Sequence, residues 1–531
     1  MEPERRLSTG AMSIVLCATL ACSPPERDPA TVVYASGTDL ESANPLVTVH
    51  PFARQVQRHA LFVTLVRHDS LLRVLPYWAR RWSWTADRRT LTLSLEPALR
   101  WHDGQRATAH DAVFTLEAAR DPATGFPRHA DLAGLDDVAA VDDTTLQLRF
   151  AAAQPDVPTI LAELPIVPAH VLRGVPHGDM RRAPFGTHPV GAGPFRFVDR
   201  APGQRWSFER VPDFPASMGG APAVRRFVVA VVDEPTTKFA GLVAGDLDAA
   251  GIAPTMAPLV RRDRRLRVIE YPVLFSTGVV FNGQRAPFDD VRVRRALSLS
   301  VDRARIVRAA LAGFGVPASG PVPPDNPLAL DLRVAHDTAR ADSLLDAAGW
   351  RRGADGMRRR GGATLAFTLA TVGSGDNALE QLLQADFAAR GIRMEIRQLE
   401  MGAFLTAARA PRKEFDALVA GIPGDLSLAY LAAMFDSPLA GGALDYAGFH
   451  TPGLDSLFGA ARIAASERDR RLAWQAVQRE LAREAPAAWL YHSRGVQGLS
   501  RRLRGVTMDL RGELATVTRW TTEPTRRASL P

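Results

Sequence analysis

Residues able to carry chemistry are few in this 531-residue chain, and their spacing limits what they can do. There is no Gly-x-x-x-x-Gly-Lys to cradle phosphate and no Gly-x-Ser-x-Gly to present a nucleophile, and neither Lys238 nor Lys413 has a serine three residues before it. The twelve histidines include no His-x-x-x-His pair, and His102 and His110, at the two ends of one turn, fit structural histidines better than a metal pair. No catalytic residue, cofactor or metal set is expected. A secreted hydrolase acting on a peptide-like substrate stays an alternative, because a triad dispersed in sequence leaves no local signature. Asp425 follows the strand-like run Ala417-Leu418-Val419-Ala420-Gly421-Ile422 and Pro423-Gly424 and, by residue type alone, reads as a turn residue or helix N-cap.

The elements around such residues can be read from periodicity. Leu91, Leu93 and Leu95 alternate with Thr92 and Ser94 as in a half-buried strand, and Trp101-His102-Asp103-Gly104 turns the chain. Thr108 is then placed to cap a helix with Asp111 three residues on and Val113, Phe114 and Leu116 on one face. Thr145 to Phe150 alternates as a second strand after the Asp142-Asp143 turn. At Gly191-Ala192-Gly193-Pro194 a tight backbone path leads into the alternating Phe195-Arg196-Phe197-Val198, so these glycines precede a strand and are no phosphate loop.

Asp289 or Asp290 would cap a helix carrying Val291, Ala296 and Leu297 inward, and Asp302 would cap the next. Thr364 to Leu369, a helix capped by Asp376 with Leu379, Leu382, Leu383 and Phe387 on one face, and the alternation of Ile392, Met394 and Ile396 make a βαβ unit. That unit calls for a parallel sheet covered by helices.

Composition adds bounds. With 46% hydrophobic and 23% charged residues the chain is an ordinary globular protein, long enough for two or three lobes. The net charge of +8 comes from arginines scattered among 57 acids, with only two lysines, so no basic stripe marks a nucleic-acid partner. Arg5 and Arg6 precede an apolar run from Ala11 to Ala21, suited to a signal-peptide core and too short to span a bilayer. Thr19-Leu20-Ala21-Cys22-Ser23 resembles a lipobox with Thr19 in place of the usual Leu, which makes Cys22 the expected lipidated residue. Cys17, the only other cysteine, lies in the same signal, so the mature chain is expected to have no disulfide.

Several of these segments together resemble the family 5 extracellular solute-binding proteins, the periplasmic dipeptide and oligopeptide receptors of ABC transporters. Trp101-His102-Asp103-Gly104 with Thr108-Ala109-His110-Asp111-Ala112-Val113-Phe114 is similar to the family's "FHDG…TAeDVvf" segment. Pro189-Val190-Gly191-Ala192-Gly193-Pro194-Phe195 is similar to its "PvGtGPY", and Pro287 to Ser298 also resembles a family segment. Departures are Pro212-Asp213-Phe214-Pro215 where the family has Tyr-Trp, Ile422 where it often has Trp, and Leu426-Ser427-Leu428 where an aromatic and Asp-Pro follow.

The resemblance implies an α/β architecture of the periplasmic-binding-protein type II fold, with two main α/β domains joined by a hinge and an inserted third lobe. The expected division is signal peptide 1–22, linker 23–30, domain I from 31–65, 190–286 and 501–531, inserted domain II 66–189, and domain III 287–500. The implied function is capture of di- or oligopeptides, or a related solute, by hinge closure and delivery to permease subunits. The implied location is periplasmic or extracytoplasmic, on the membrane through a lipid anchor, as a monomer. A sensor or chaperone lipoprotein on this scaffold is a further alternative. Asp425 would bind a ligand ammonium group, with Thr38, Asn44, Phe281, Asn282 and Tyr446 as further ligand-binding candidates.

Overall fold

The Leu91 to Leu116 stretch folds as strand, turn and helix in the computed structural model, which describes residues 28–523 apart from 333, 374–376, 443 and 465. Cys22 with the expected signal segment, and Asp376, lie outside the described residues. Leu91, Leu93 and Leu95 of the strand Thr90–Leu95 are buried, and Thr92 and Ser94 are half-buried, which is the period-2 pattern of the sequence. The helix Ala109–Arg120 begins after an extended Thr108. Its start is held by Asp111, whose Oδ2 accepts the Thr108 N–H at 2.9 Å and the Trp101 Nε1–H at 3.2 Å, while Oδ1 accepts the Ala169 N–H at 2.8 Å. One buried carboxylate thus ties turn, helix start and a neighbouring segment together.

The helix face differs from expectation. Ala109, Ala112, Thr115, Leu116 and Ala119 are buried, whereas Val113 and Phe114 are half-buried. Small side chains let the helix approach closely, so that Thr115 Oγ1 accepts the Val167 N–H at 3.0 Å. In the same lobe four antiparallel strands pair in the order Ala79–Trp84, Thr90–Leu95, Thr145–Phe150, Leu135–Asp142.

The main sheet runs in the order Arg393–Leu399, Ala366–Val372, Ala417–Pro423, Leu266–Phe281, Ala487–Ser500, Ala249–Gly251, Thr31–Ser36, Arg226–Val231, Arg205–Arg210, Phe195–Ala201. Ala366–Val372 and Arg393–Leu399 pair in parallel across the crossover helix Ala378–Ala388, as a βαβ unit requires. Helices Val291–Ser300 and Arg303–Ala310 begin at Asp290 and Asp302, whose carboxylates accept the Arg292 and Arg305 N–H groups.

Two long antiparallel strands join the halves of this sheet. Leu266–Phe281 and Ala487–Ser500 pair from Leu266↔Ser500 to Val280↔Ala487, with the register broken between Pro272 and Ser276. On one side of the break Ala487–Ser500 meets Ala249–Gly251, and on the other Leu266–Phe281 meets Ala417–Pro423. Both strands therefore serve both halves.

Hydrophobic cores follow this plan. One cluster runs from Val32 and Leu65 through Trp78, Leu91 and Leu116 to Phe227 and Trp520, so the 66–189 segment shares its core with the N-terminal strand and the C-terminal tail. Two clusters fill the half that contains Phe281, Phe387 and Leu481, and a fourth packs around Ala250 and Leu266. Among the described residues no helix is long and apolar enough to cross a membrane.

Candidate functional site

Asp425 follows the strand Ala417–Pro423 and precedes the helix Ala429–Phe435. Its Oδ1 accepts the Ser427 hydroxyl at 2.6 Å and the Ala429 N–H at 3.1 Å, and Oδ2 accepts the Tyr430 N–H at 3.2 Å. These bonds satisfy the start of a helix whose N-cap residue, Leu428, sits at φ 63°. The carboxylate is half-buried and caps its own helix.

Its charge also reaches across to the other half of the molecule. Arg128 bonds Glu163 and Asp131, and Arg58 Nη1 lies 3.4 Å from Glu163 Oε1. Burial opposes the charge on Arg128, yet Glu163, Asp131 and, further off, Asp425 outweigh it and hold the guanidinium above its ordinary pKa. Burial raises Asp131, and the Asp425 charge adds to that. Glu163 is driven the other way: burial would raise it, but Arg128 and Arg58 bring it down to about 2. The cluster is thus a half-buried network of opposite charges, close enough to Asp425 for its charge to be felt.

Beside the network is a cavity of about 210 Å³, walled by Arg58, His59, Arg67, Glu163 and Arg511 and touched from the opposite half by Leu426. Burial and the neighbouring Arg58 push the His59 imidazole well below its ordinary pKa, and burial lowers His68, which also lines the space. Both rings are neutral near pH 7 and offer hydrogen bonds without charge. Among the described residues no group of three or more His, Cys, Asp and Glu is placed to hold a metal ion.

The other candidates lie apart from this cavity's walls. Thr38 is exposed, with Oγ1 2.5 Å from His50 Nε2. Asn44 is fully buried; its Nδ2 donates to the Met180 carbonyl at 3.1 Å and its Oδ1 accepts the Leu46 N–H at 3.1 Å. Asn282 is likewise buried, donating to the Lys413 and Phe415 carbonyls and accepting the Gln284 N–H. Phe281 stacks on Phe288 at 5.2 Å in the core, and Tyr446 is buried in another cluster. Asn44, Phe281, Asn282 and Tyr446 are engaged by the protein itself, because each sits where a chain segment docks and its contacts must be met internally.

The sequence reading missed Arg58, Arg128, Asp131, Glu163 and Arg511. Arg128 and Asp131 are three residues apart, but Arg58, Glu163 and Arg511 come from other segments, so no local spacing could bring the whole set together on paper. Burial of charged groups became visible only with the fold.

Comparison with known proteins places this geometry among relatives. The family described as "Bacterial extracellular solute-binding proteins, family 5 Middle" matches residues 73–438. Protein XP55 of Streptomyces lividans is 32% identical over 448 residues, covering 81% of this chain and 78% of that protein. A probable di/tripeptide-binding protein 5 of Pseudomonas aeruginosa is 27% identical over 500 residues, covering 88% and 91%. The oligopeptide-binding protein AppA from Bacillus subtilis, solved in complex with a nonapeptide, superposes with a TM-score of 0.76 over 93% of this chain and 99% of AppA, and at 22% identity that likeness is one of fold.

Proposed function

From the premise that the chain belongs to the family 5 bacterial extracellular solute-binding proteins, we propose that it captures a small solute, di- or oligopeptides being the first class to test, between the two halves of its sheet. The observation that carries this reading is the pair of long strands, Leu266–Phe281 and Ala487–Ser500. They join the halves, and their register breaks between Pro272 and Ser276. Tyr271 lies just before that break and Phe275 within it. A Cβ on Gly495 would stand 2.1 Å from the Tyr271 ring and one on Gly421 2.4 Å from the Phe275 ring, so glycines make room for both. We take this crossing as the hinge, with 31–65, 190–286 and 501–531 on one side, 287–500 on the other and 66–189 inserted.

A ligand shifts such a hinge only through contacts that differ between open and closed forms. Asp425 and Leu426 on one side and Arg128, Glu163 and the cavity on the other supply groups of that kind. Delivery to the permease of an ABC importer, lipidation of Cys22 and an extracytoplasmic location complete the proposal. The relatives named as peptide-binding proteins support peptides as ligand. The altered loop Ile422 to Leu428 keeps opines, oligosaccharides and metal chelates in the test.

Thermal-shift pools of di- to pentapeptides, opines, oligosaccharides and nickel chelates test it on the mature chain. A ligand at about 100 times its Kd adds roughly 2.7 kcal/mol of stability. A shift with any pool supports capture and names the class; no shift in any pool at millimolar ligand would count against the receptor reading.

A further inference from the structure

A further cavity lies away from the Arg128 network, wholly within the half built from 287–500. It has a volume of about 300 Å³ and is lined from the helix Val291–Ser300, the 318–321 loop, residues 334–340 and the end of the helix Glu467–Glu484. None of the sequence candidates lines it.

Its floor holds a buried cation with no acid. Arg303 is 5% exposed, and Nε donates to the Trp489 carbonyl at 2.7 Å, Nη1 to the carbonyls of Ser298 and Val301, and Nη2 to the Ser298 hydroxyl at 2.9 Å. Among the described residues no carboxylate pairs with it. Carbonyl and hydroxyl oxygens satisfy four of the five donors of a guanidinium, but they do not cancel its charge, and one Nη2 N–H is left over. Burial alone drives the Arg303 pKa down to about 10, as expected of a cation without a counter-charge.

Two more cations stand in the same wall. Arg295 is half-buried and Arg340 exposed, and among the described residues neither side chain makes a hydrogen bond or ion pair. Asp337 is the one acid in the lining, and its Oδ1 is taken by the Arg340 backbone N–H at 2.9 Å as the cap of the helix Thr338–Ala347. The remaining wall is apolar, with Leu299, Leu481 and Trp489. Three guanidinium groups against one committed carboxylate, beside an apolar wall, ask for an anion with a hydrocarbon part.

We propose that this cavity is a second ligand site, for a small amphipathic carboxylate whose anionic end meets Arg295, Arg303 and Arg340 and whose apolar end packs on Leu299, Leu481 and Trp489. Every lining residue comes from the 287–500 side, so the site is distinct from the space between the halves, although its Pro321 accepts the Ser276 hydroxyl at the crossing.

Calorimetric titration of the full mature chain with octanoate, octanol and inorganic phosphate tests it. Saturable binding of one octanoate, at least tenfold weaker in Arg295→Gln/Arg340→Gln and largely restored in Arg295→Lys/Arg340→Lys, is the expected result. Both positions face solvent in part, so unchanged melting of the variants shows that the fold is kept. Octanol binding as tightly as octanoate, phosphate binding more tightly than octanoate, octanoate affinity unchanged in the glutamine variant, or no octanoate binding at millimolar concentration would each overturn the proposal.

Discussion

Ser276 Oγ lies 2.8 Å from His492 Nδ1, where the two long strands cross and these residues are register partners. The hydroxyl donates its single proton to the Pro321 carbonyl at 3.1 Å, so the imidazole must donate from Nδ1, which leaves Nε2 as a bare acceptor. That Nε2 is buried without a partner among the described residues. The crossing is thus held by a neutral histidine. Burial and then the Arg494 charge push its pKa down to about 4.

A pH dependence follows from that direction. The unfolded histidine, with a pKa of about 6.5, binds a proton at pH values where the folded one stays neutral. Its contribution is whole above about pH 6.5, falls as the pH drops and is lost by about pH 4, on the order of 3 kcal/mol in all. His102, pushed by burial to about 4 while Nε2 lies 3.0 Å from the Gly193 carbonyl, loses stability in the same window. Melting temperature should therefore fall between about pH 6.5 and 4, less steeply in His492→Gln. Equal slopes in the variant and the parent chain would refute the assignment to His492.

Gly193 gives a sharper mutational test. A Cβ there would stand 2.4 Å from the Ala60 carbonyl oxygen and 2.6 Å from the Leu61 carbonyl carbon, and one at Gly191 2.0 Å from the Leu61 oxygen. Gly193 N–H also donates to Leu61 O at 2.9 Å, so the backbones cannot separate without losing a bond. Gly193→Ala should cost at least about 2 kcal/mol in urea denaturation, whereas Gly134→Ala, with open space around it, should stay within roughly 0.5 kcal/mol.

These two features differ in how far they could be read beforehand. The Gly191-Ala192-Gly193-Pro194 path, the Leu91 strand, the Asp290 and Asp302 caps and the βαβ unit are local, set by φ/ψ demands and side-chain period, so their residues sit together in the sequence. The Asp111 hub was half legible: its place three residues after Thr108 was plain, but its bond to the Ala169 N–H needed the fold. The Ser276–His492 pair and the Arg128 network join segments far apart in the chain, and no periodicity encodes which strand will lie beside which. Asn44 and Asn282 show the opposite problem, since a polar side chain near a cleft and one closing a buried junction are the same letter.

Glu163 should be the costliest single charge to remove. Its side chain is 11% exposed and compensates both Arg128 and Arg58. Glu163→Gln keeps the shape but leaves Arg58 without its carboxylate and Arg128 with Asp131 alone, and about 3–5 kcal/mol of stability should go. Glu163→Gln/Arg128→Gln should cost less than the sum of the two single substitutions, because both remove the same Glu163–Arg128 pair; a double-mutant cycle in guanidinium chloride reads the coupling. Additive effects of the two substitutions would mean that the pair is not coupled.

Asp425 caps its helix and is the proposed reader of a cationic ligand group, and one substitution cannot separate the two. Asp425→Ala removes the acceptor for the Ala429 and Tyr430 N–H groups and should cost about 1 kcal/mol whatever the ligand does. It would then weaken any ligand that needs the helix in place, so lost binding in this variant alone is ambiguous. Asp425→Ser keeps a capping oxygen and drops the charge, and its melting temperature should lie close to the parent chain's. If the carboxylate reads a cationic ligand group, the serine variant should still bind at least tenfold more weakly, and the loss should shrink at high salt, where the parent's own charge attraction is screened. Full binding by the serine variant would assign Asp425 to the helix alone and move the search for the ligand's anchor to the Arg58 and His59 side of the cavity.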